Sequence, residues 1–301
     1  MKCNSFLISW ILNFLTNRPQ YVRLRNENVD ISSSTLHTST GAPQGCVLSP
    51  LLFTIYTSEC RSSFLQIPII KFADDTSILG LITSQTDLIN YFSTIRYFVE
   101  WCDAHNLLLN VIKTKEMMID FRTKDNDHEP IVIKNVSISR TDIYKYLGIL
   151  IDDHLNWHEQ CSNIISRNNQ RLYFIRKLQE FYIDTTIISL FYNSAMESIL
   201  CFCLIAYGGN ITIKDENKID SIIKKVQKVT NVPLHTIKEL YSMLVKKKIN
   251  QINKKSDHPM KKEIRYSERE NSNLVLYPKI RTERYRRSFI PSALRSLNNE
   301  L

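Results

Sequence analysis

Two adjacent carboxylates, Asp74 and Asp75, separate two apolar, β-rich runs that cover Ile67 to Ala73 and Thr76 to Ile82. This pattern predicts a β-hairpin whose tight turn carries both carboxylates. Carboxylate oxygens are the ligands that hard divalent ions such as Mg²⁺ prefer, and paired ions of this kind catalyse phosphoryl transfer. An Asp-Asp turn alone is more often a solvated loop, so the metal hypothesis depends on the segments around it.

A loop rich in glycine and proline precedes the hairpin. It reads Gly41-Ala42-Pro43-Gln44-Gly45-Cys46-Val47-Leu48-Ser49-Pro50, and Leu51 to Tyr56 continue it as one face of a short helix. Gly41 and Gly45 allow close backbone approach, Pro43 stiffens the loop, and Gln44 can donate and accept hydrogen bonds. Such a loop suits contact with a base pair, whereas the plainer alternative is an ordinary turn before a helix.

The sequence patterns of the surrounding segments predict an α+β protein. Helical spacing covers Phe6 to Leu15, and Ser84 with Asp87 forms a capping box before a long helix. Further strands are predicted at Tyr21 to Arg25, Glu116 to Phe121, Ile131 to Ile133 and Tyr144 to Ile151. From Trp157 onward the pattern is helical. We therefore expect an α+β body in residues 1–155, a helical region in 156–235 and a basic C-terminal region in 236–301.

Charge is distributed unevenly along the 301 residues, which carry a net charge of +9. Residues 221–301 contain 19 lysines and arginines against 7 aspartates and glutamates. A basic C-terminal region of this kind can neutralise the phosphates of nucleic acid. A solubilising surface is an equally good explanation from charge alone.

Seven cysteines are scattered along the chain without zinc-type spacing, which favours an intracellular, reducing compartment. The nucleus and the cytoplasm cannot be distinguished. The apolar stretch from Ile199 to Tyr207 is nine residues long, well short of the ~20 residues that span a bilayer. We expect a buried helix there and no membrane partner.

The order of loop and hairpin resembles the reverse transcriptases of non-LTR (LINE-type) retrotransposons. The resemblance implies a palm of antiparallel sheet and packed helices in residues 1–155, followed by a helical thumb-like region. It also implies an RNA template, a DNA primer and Mg²⁺ or Mn²⁺, with Asp74 as metal ligand and Asp75 as auxiliary acid. The loop residues that would lie against nucleotide and template are Gly41, Pro43, Gln44 and Gly45.

Two later segments extend the resemblance. Asn110 to Lys115 is similar to the family's lysine element, in which Lys113 would protonate the leaving pyrophosphate or offset its charge. A solvated lysine is the alternative. Tyr144 to Ile149 is similar to the primer-grip hairpin, with Tyr146, Leu147 and Gly148 as its central residues, although Leu147 also suits plain sheet core.

One departure from the family pattern determines whether we expect nucleotidyl-transfer activity. The family's first catalytic aspartate lies before the Gly-Ala-Pro-Gln-Gly loop, in a segment of the type Asp-Phe-x-x-Ala-Phe. Only Glu27, Asp30 and Glu59 precede Asp74, and none lies in a suitable apolar strand. Two carboxylates cannot hold two ions in the geometry of nucleotidyl transfer. We therefore expect a 5′-truncated copy that is inactive alone and binds the ions weakly or not at all.

Two other functions are compatible with parts of the sequence. The basic, helical half, residues 157–301, could bind RNA or DNA without catalysis. Tyr144 to Phe181 also resembles a short segment that precedes alkylated-DNA-repair (AlkB-type) dioxygenases. Such enzymes need a His-x-Asp/Glu pair to bind Fe(II), and no histidine in this chain is followed at that spacing by a carboxylate. The sequence therefore predicts no dioxygenase site.

Overall fold

The computed structural model describes residues 4–27, 29–122, 128–266 and 275–298. The chain divides into two compact units. The first comprises Met1–Lys113 with Ile131–Ser137, and the second comprises Thr114–Pro130 with Ile138–Leu301. The predicted three-part division at residues 155 and 235 stays a prediction.

The named strands all lie between residues 18 and 152 of the described chain, and the named elements from residue 158 onward are helical. The strands are β1 (Arg18–Gln20), β2 (Arg23–Asn26), β3 (Val29–Ser32), β4 (Leu36–Thr38), β5 (Ile69–Phe72), β6 (Asp75–Ile78), β7 (Lys115–Glu116), β8 (Val132–Ile133), β9 (Val136–Ser137), β10 (Ser139–Arg140), β11 (Ile143–Tyr146) and β12 (Ile149–Asp152). The α-helices are α1 (Ser5–Leu15), α2 (Leu48–Tyr56), α3 (Gln85–Ala104), α4 (His158–Glu180), α5 (Thr185–Phe191), α6 (Ser198–Cys201), α7 (Leu204–Tyr207), α8 (Ile213–Thr230), α9 (Ile237–Lys254), α10 (Glu283–Arg287) and α11 (Phe289–Asn298). A π-helical turn, Tyr192–Glu197, joins α5 to α6.

The mixed α+β class is confirmed, but the expected single antiparallel palm sheet does not form among the described residues. Their strands make six separate two-stranded ladders. Five ladders are antiparallel, and β7 pairs with β10 in parallel. A hairpin needs only its own local sequence, whereas a third strand has to come from a distant segment. Four of the five antiparallel pairs are local hairpins with two-residue connections, and the fifth pairs β1 with β4 around the β2–β3 hairpin.

The first unit has a small core beneath α3. Cys60, Trp101 and Cys102 are buried together, and Ile69 of β5 packs against them. The predicted capping box is present, because Ser84 Oγ accepts from the backbone of Asp87 and the Asp87 carboxylate accepts from Ser84. Helix α1 has no buried residue, and Phe6 is 83% exposed.

The second unit is mainly helical and holds the larger core. Helix α4 packs along α8, and together with the helices that follow they enclose three apolar clusters. Ile164 and Ile219 belong to one cluster, Leu172 and Val226 to another. Helix α9 begins the basic C-terminal region, and Val245 and Ile249 bury its inner face in the third cluster.

The apolar helical segment that we expected over Ile199 to Tyr207 is part of a longer helical run. This run, Thr185–Asn210, has 26 residues and contains an 18-residue window with a mean hydropathy of 1.6, so it is long and apolar enough to cross a membrane by length and composition alone. One face of the run packs into two core clusters of the second unit. Its buried side chains are Ile188, Tyr192, Met196, Leu200, Leu204 and Tyr207. Because a core helix passes the same test, the run assigns no membrane partner.

Candidate functional site

The carboxylate hairpin forms as the sequence predicts, with a shift of one residue. Strands β5 and β6 pair Phe72 with Asp75, so the two-residue turn is Ala73-Asp74 and Asp75 already belongs to β6. Ala73 has a φ of +52°, in the left-handed region that favours glycine. Both carboxylates are exposed. The turn therefore presents Asp74 and Asp75 to solvent at the tip of the hairpin.

The residues around this tip do not complete a two-ion centre. Within the described residues, no third histidine, cysteine or carboxylate groups with Asp74 and Asp75 within ligand distance of a common ion. Two hard divalent ions need more oxygen ligands than two neighbouring carboxylates supply. Asp74 and Asp75 can supply some of the oxygen ligands of a two-ion site. They do not supply enough ligands to bind both ions.

The Gly41–Pro50 loop takes the conformation that its glycines predict. Gly41 and Gly45 both have positive φ, +64° and +76°. Ser49 Oγ donates to the carbonyl oxygen of Pro43 at 2.5 Å, which ties the loop to the first turn of α2. Gln44 is exposed. Its amide is therefore free to meet a ligand, and the loop around it is held by its own backbone.

Arg18 is a positioning residue that the sequence did not reveal. Its Nη2 atom donates to the carbonyl oxygens of Thr40 and Gly41, at 2.6 and 3.0 Å. Nearby, the backbone N–H of Asn17 donates to Ser39 Oγ at 2.9 Å. No local pattern predicts this contact, because an arginine beside a proline carries no signal for a loop further along the chain.

Cys46 lies within the loop beside the start of α2. The backbone N–H of Leu48 donates to Cys46 Sγ at 3.4 Å. This hydrogen bond lowers the pKa of the Cys46 thiol, and contacts with Ser49 add to it against the opposing effect of burial. The side chain thus helps to order the turn into α2.

Lys113 lies in the first unit at the end of a turn that follows α3. The backbone N–H of Lys113 donates to Asn110 Oδ1 at 3.1 Å, and the Lys113 side chain is exposed. Neither Asp74 nor Asp75 forms an ion pair with it within the described residues. The structure therefore leaves its role in catalysis as a prediction.

The predicted primer-grip hairpin lies in the second unit. Strands β11 and β12 pair Tyr146 with Ile149, and both turn residues, Leu147 and Gly148, have positive φ, as in a type I′ turn. A Cβ on Gly148 would lie 3.2 Å from the ring of Phe202. The hairpin thus packs closely on the helical body at its turn.

A second contact joins this hairpin to helix α4. The backbone N–H of Leu150 donates to Oε1 of Gln160, a buried residue of α4, at 3.0 Å. Sequence reasoning missed Gln160, since a glutamine at the start of a helix is usually solvated. The two contacts fix the hairpin relative to α4.

Asp152, Asp153 and His154 form the one group of three potential metal ligands in the described residues. The Asp152 carboxylate already accepts from the backbone N–H groups of His154, Asn156 and Trp157, at 3.0 to 3.1 Å. Its position before α4 gives it the role of a helix cap. The group also contains one histidine, whereas an Fe(II) facial triad needs two.

The C-terminal basic region combines exposed cations with a few local ion pairs. Arg286 and Arg287 of α10 both pair with Glu283, at 2.7 and 2.8 Å. The guanidinium of Arg284 lies 4.1 Å from the centre of the Phe121 ring. Lys247, Lys254 and Arg281 are exposed. These cations are available to phosphates.

Comparison with known proteins identifies a family over half of the chain. Residues 1–151 match the family described as reverse transcriptase (RNA-dependent DNA polymerase). The match contains the Gly41–Pro50 loop, the Asp74-Asp75 hairpin, Lys113 and most of the β11–β12 hairpin. No solved structure matches the chain.

Curated relatives come from mobile elements of flies. The chain is 29% identical over 140 residues to the probable RNA-directed DNA polymerase from transposon X-element of Drosophila melanogaster, an alignment that covers 44% of this chain and 15% of the relative. It is 27% identical over 142 residues to the RNA-directed DNA polymerase from mobile element jockey of Drosophila funebris, with the same coverage, 44% and 15%. It is 27% identical over 177 residues to the probable RNA-directed DNA polymerase from transposon BS of Drosophila melanogaster, covering 55% and 19%. The chain thus spans less than a fifth of the length of each of these relatives.

Proposed function

The chain belongs to the reverse transcriptase (RNA-dependent DNA polymerase) family, and we propose that it is a remnant of a LINE-type polymerase that does not transfer nucleotides by itself. The mobile-element relatives support the LINE-type lineage. One observation supports the proposed inactivity: among the described residues, no third potential metal ligand lies close to Asp74 and Asp75 at the hairpin. Two-ion nucleotidyl transfer requires a fuller set of oxygen ligands.

The roles proposed for individual residues are those that they would have in the active parent polymerase. Asp74 would ligate an ion, with Asp75 as auxiliary acid, and Lys113 would face the pyrophosphate. Gln44, held in a loop that Ser49 and Arg18 fasten, would lie against the nucleotide and template. Gly41, Pro43 and Gly45 would shape that loop. Tyr146, Leu147 and Gly148 would support the primer strand.

Primer extension tests the proposed inactivity. The purified chain is incubated with a primed RNA template, deoxynucleotides and Mg²⁺, and then with Mn²⁺ in place of Mg²⁺. We expect no extension with either ion, while an active reverse transcriptase extends the same primer in parallel. Extension by the wild-type chain that disappears in Asp74→Ala would overturn the proposal.

A second function, binding of RNA or DNA without catalysis, is favoured by the exposed cations of residues 236–301. Deleting this region is a poor test, because Ile237 and Leu240 of α9 are buried in the cluster that holds Ile164 and Ile219, and their loss would expose that cluster. A triple variant, Lys247→Gln, Lys254→Gln and Arg281→Gln, removes three exposed charges instead. Duplex binding should weaken and its salt dependence should become shallower, by about one phosphate contact for each cation involved.

A matched control separates this effect from net charge. Arg25→Gln, Arg61→Gln and Arg96→Gln remove the same number of exposed charges from the first unit. Affinity for a duplex of fixed length is measured by fluorescence anisotropy at several salt concentrations. If both triple variants bind the duplex equally well, the basic region has no specific role.

A further inference from the structure

A cleft opens in the second unit between α4 and the run formed by α5 and the π-helical turn. Its volume is about 380 Å³, and its lining residues are Gln170, Arg171, Phe174, Phe191 and Ala195. Clefts of roughly 300 to 1,000 Å³ are typical of small-ligand sites. None of these residues belongs to the candidate polymerase site or to the basic C-terminal region.

Two aromatic rings line this cleft, one exposed and one partly buried. Phe174 is 53% exposed, although it lies in the middle of a long helix. The neighbouring ring of Tyr173 meets it edge to face, with ring centroids 5.6 Å apart. Phe191 provides a second aromatic surface in the cleft. An exposed phenyl face beside a second ring is suited to stacking on a planar group.

Charge at the cleft favours an anion. Arg171 donates from Nη1 to the carbonyl oxygen of Arg167 at 3.2 Å, so both arginines lie along one edge of α4. Residues 162–179 of α4 contain four cations and no aspartate or glutamate. In the part of the chain that the structure describes, no carboxylate lines the cleft. The side-chain amide of Gln170 adds a donor and an acceptor.

The π-helical turn forms one side of the cleft, which we call its floor. It places Tyr192 and Met196 in the core and leaves Ala195 facing the cleft. A small side chain at this position leaves room for a ligand between the two helices. π-Helical turns inside α-helices occur frequently at functional sites.

We propose that this cleft binds an unpaired nucleotide of single-stranded nucleic acid. The base stacks on Phe174, its edge meets the Gln170 amide, and its phosphate pairs with Arg171. Base stacking on aromatic rings beside a positive groove is the general mode of single-strand binding. The inference rests on the proposed nucleic-acid binding and deepens it, because it names a site and the class of strand.

Fluorescence anisotropy with the full chain tests the inference. The probes are a fluorescein-labelled oligodeoxythymidylate of about 12 nucleotides, within the usual site size of single-strand binders, and a blunt duplex of the same length. Phe174→Ala and Arg171→Gln should each weaken single-strand binding by about tenfold or more, from the usual worth of a stacked base or a charged contact. Duplex binding should stay within about twofold of wild type.

Matched variants control for charge and aromatic content. Arg176→Gln removes the same charge from α4, and Phe181→Ala removes an exposed ring at its end, yet neither residue lines the cleft. Both should bind the single strand like the wild type. Ala195→Leu fills the floor without changing charge and should weaken single-strand binding as Phe174→Ala does. Circular dichroism spectra and thermal midpoints check that each variant stays folded.

The outcomes separate this inference from the proposed function. Equal loss of single-strand binding in Arg171→Gln and Arg176→Gln would overturn it, since only net charge would then matter. So would unchanged binding in Phe174→Ala and Ala195→Leu, even if the basic region binds duplexes as proposed. Seating of an acidic helical peptide in the cleft, with no binding of the oligonucleotide, would also overturn it. Selective loss in the cleft variants supports it, whatever the triple variant of the basic region does.

Discussion

Arg18 Nη2 donates a hydrogen bond to the carbonyl oxygen of Gly41 at 3.0 Å, and so fastens the start of the loop that carries Gln44. The same atom donates to the carbonyl oxygen of Thr40 at 2.6 Å. Strands β1 and β4 bring the two segments together, since Arg18 pairs with Thr38. The loop is therefore held at one end by Arg18 and at the other by Ser49.

Removing the Arg18 side chain should loosen this loop. Hydrogen bonds from charged donors contribute about 1.5–3 kcal/mol each, so Arg18→Ala should raise amide hydrogen exchange by about tenfold or more across residues 41–47. Exchange in α3 should stay unchanged, because α3 makes none of these contacts. Hydrogen exchange measured by mass spectrometry reads both segments in one experiment.

Arg25→Ala is the control for the loop, because Arg25 is an exposed arginine of β2 in the same unit. It should leave exchange in residues 41–47 as in the wild type. If Arg18→Ala behaves like Arg25→Ala, the two hydrogen bonds do not hold the loop.

Glycine at position 73 should stabilise the carboxylate hairpin. Ala73 has a φ of +52°, which costs an L-residue about 1 kcal/mol and costs glycine little. Glycine also increases the freedom of the unfolded chain, so the net gain of Ala73→Gly should be about 0.5 kcal/mol. Urea unfolding measures it. Asp74→Asn, an exposed neighbour, should change stability by less than about 0.5 kcal/mol, and a loss of stability in Ala73→Gly would contradict the proposed strain.

Asp152 should matter for the stability of α4 more than its neighbour does. Its carboxylate accepts from three backbone N–H groups before the helix, and Trp157 at the N-cap supplies no side-chain hydrogen bond. Asp152→Ala should cost about 1–2 kcal/mol, as loss of a cap does. Asp153→Ala removes only a partly exposed pair with His154 and should cost less than about 0.5 kcal/mol. Equal costs in urea unfolding would refute the capping role.

The pH dependence of stability should contain a contribution from Asp215. This carboxylate is 1% exposed, accepts from Thr212 Oγ1 at 2.8 Å and lies 3.1 Å from His158 Nδ1. Burial by itself raises the pKa of Asp215, but the hydrogen bonds from His158 and Thr212 outweigh it and leave the pKa lowered. The ionised form is therefore favoured in the folded state.

A lowered pKa stabilises the folded chain above the ordinary carboxyl pKa of about 3.9. This stability should be lost as the pH falls through the lower pKa of the folded state. Asp215→Asn should therefore be less stable than the wild type at neutral pH, by about 1–3 kcal/mol, and the difference should shrink below about pH 4. Urea unfolding across the acid range measures it, with Glu216→Gln as the control. A difference that stays constant with pH would contradict the assignment.

The local elements were the most predictable part of the fold. The Ser84–Asp87 capping box, the β5–β6 hairpin and the long helix from residue 158 all follow from residues that are close in sequence. The conformation of the Gly41–Pro50 loop was predictable in the same way, since Gly41 and Gly45 have positive φ. Contacts between distant residues were not visible, and Arg18 with Gly41 and Gln160 with Leu150 are the examples.

The sequence by itself determined the lineage, because the Gly41–Pro50 loop and the Asp74-Asp75 turn are contiguous motifs whose residue types already carry their chemistry. It also determined the local hairpins and helix caps, whose hydrogen bonds join near neighbours. Only the tertiary structure decided that the strands remain in separate pairs and that α4 and the π-helical turn enclose a cleft lined by Arg171 and Phe174. Both depend on how distant segments share buried surface, and no local pattern of residues specifies that.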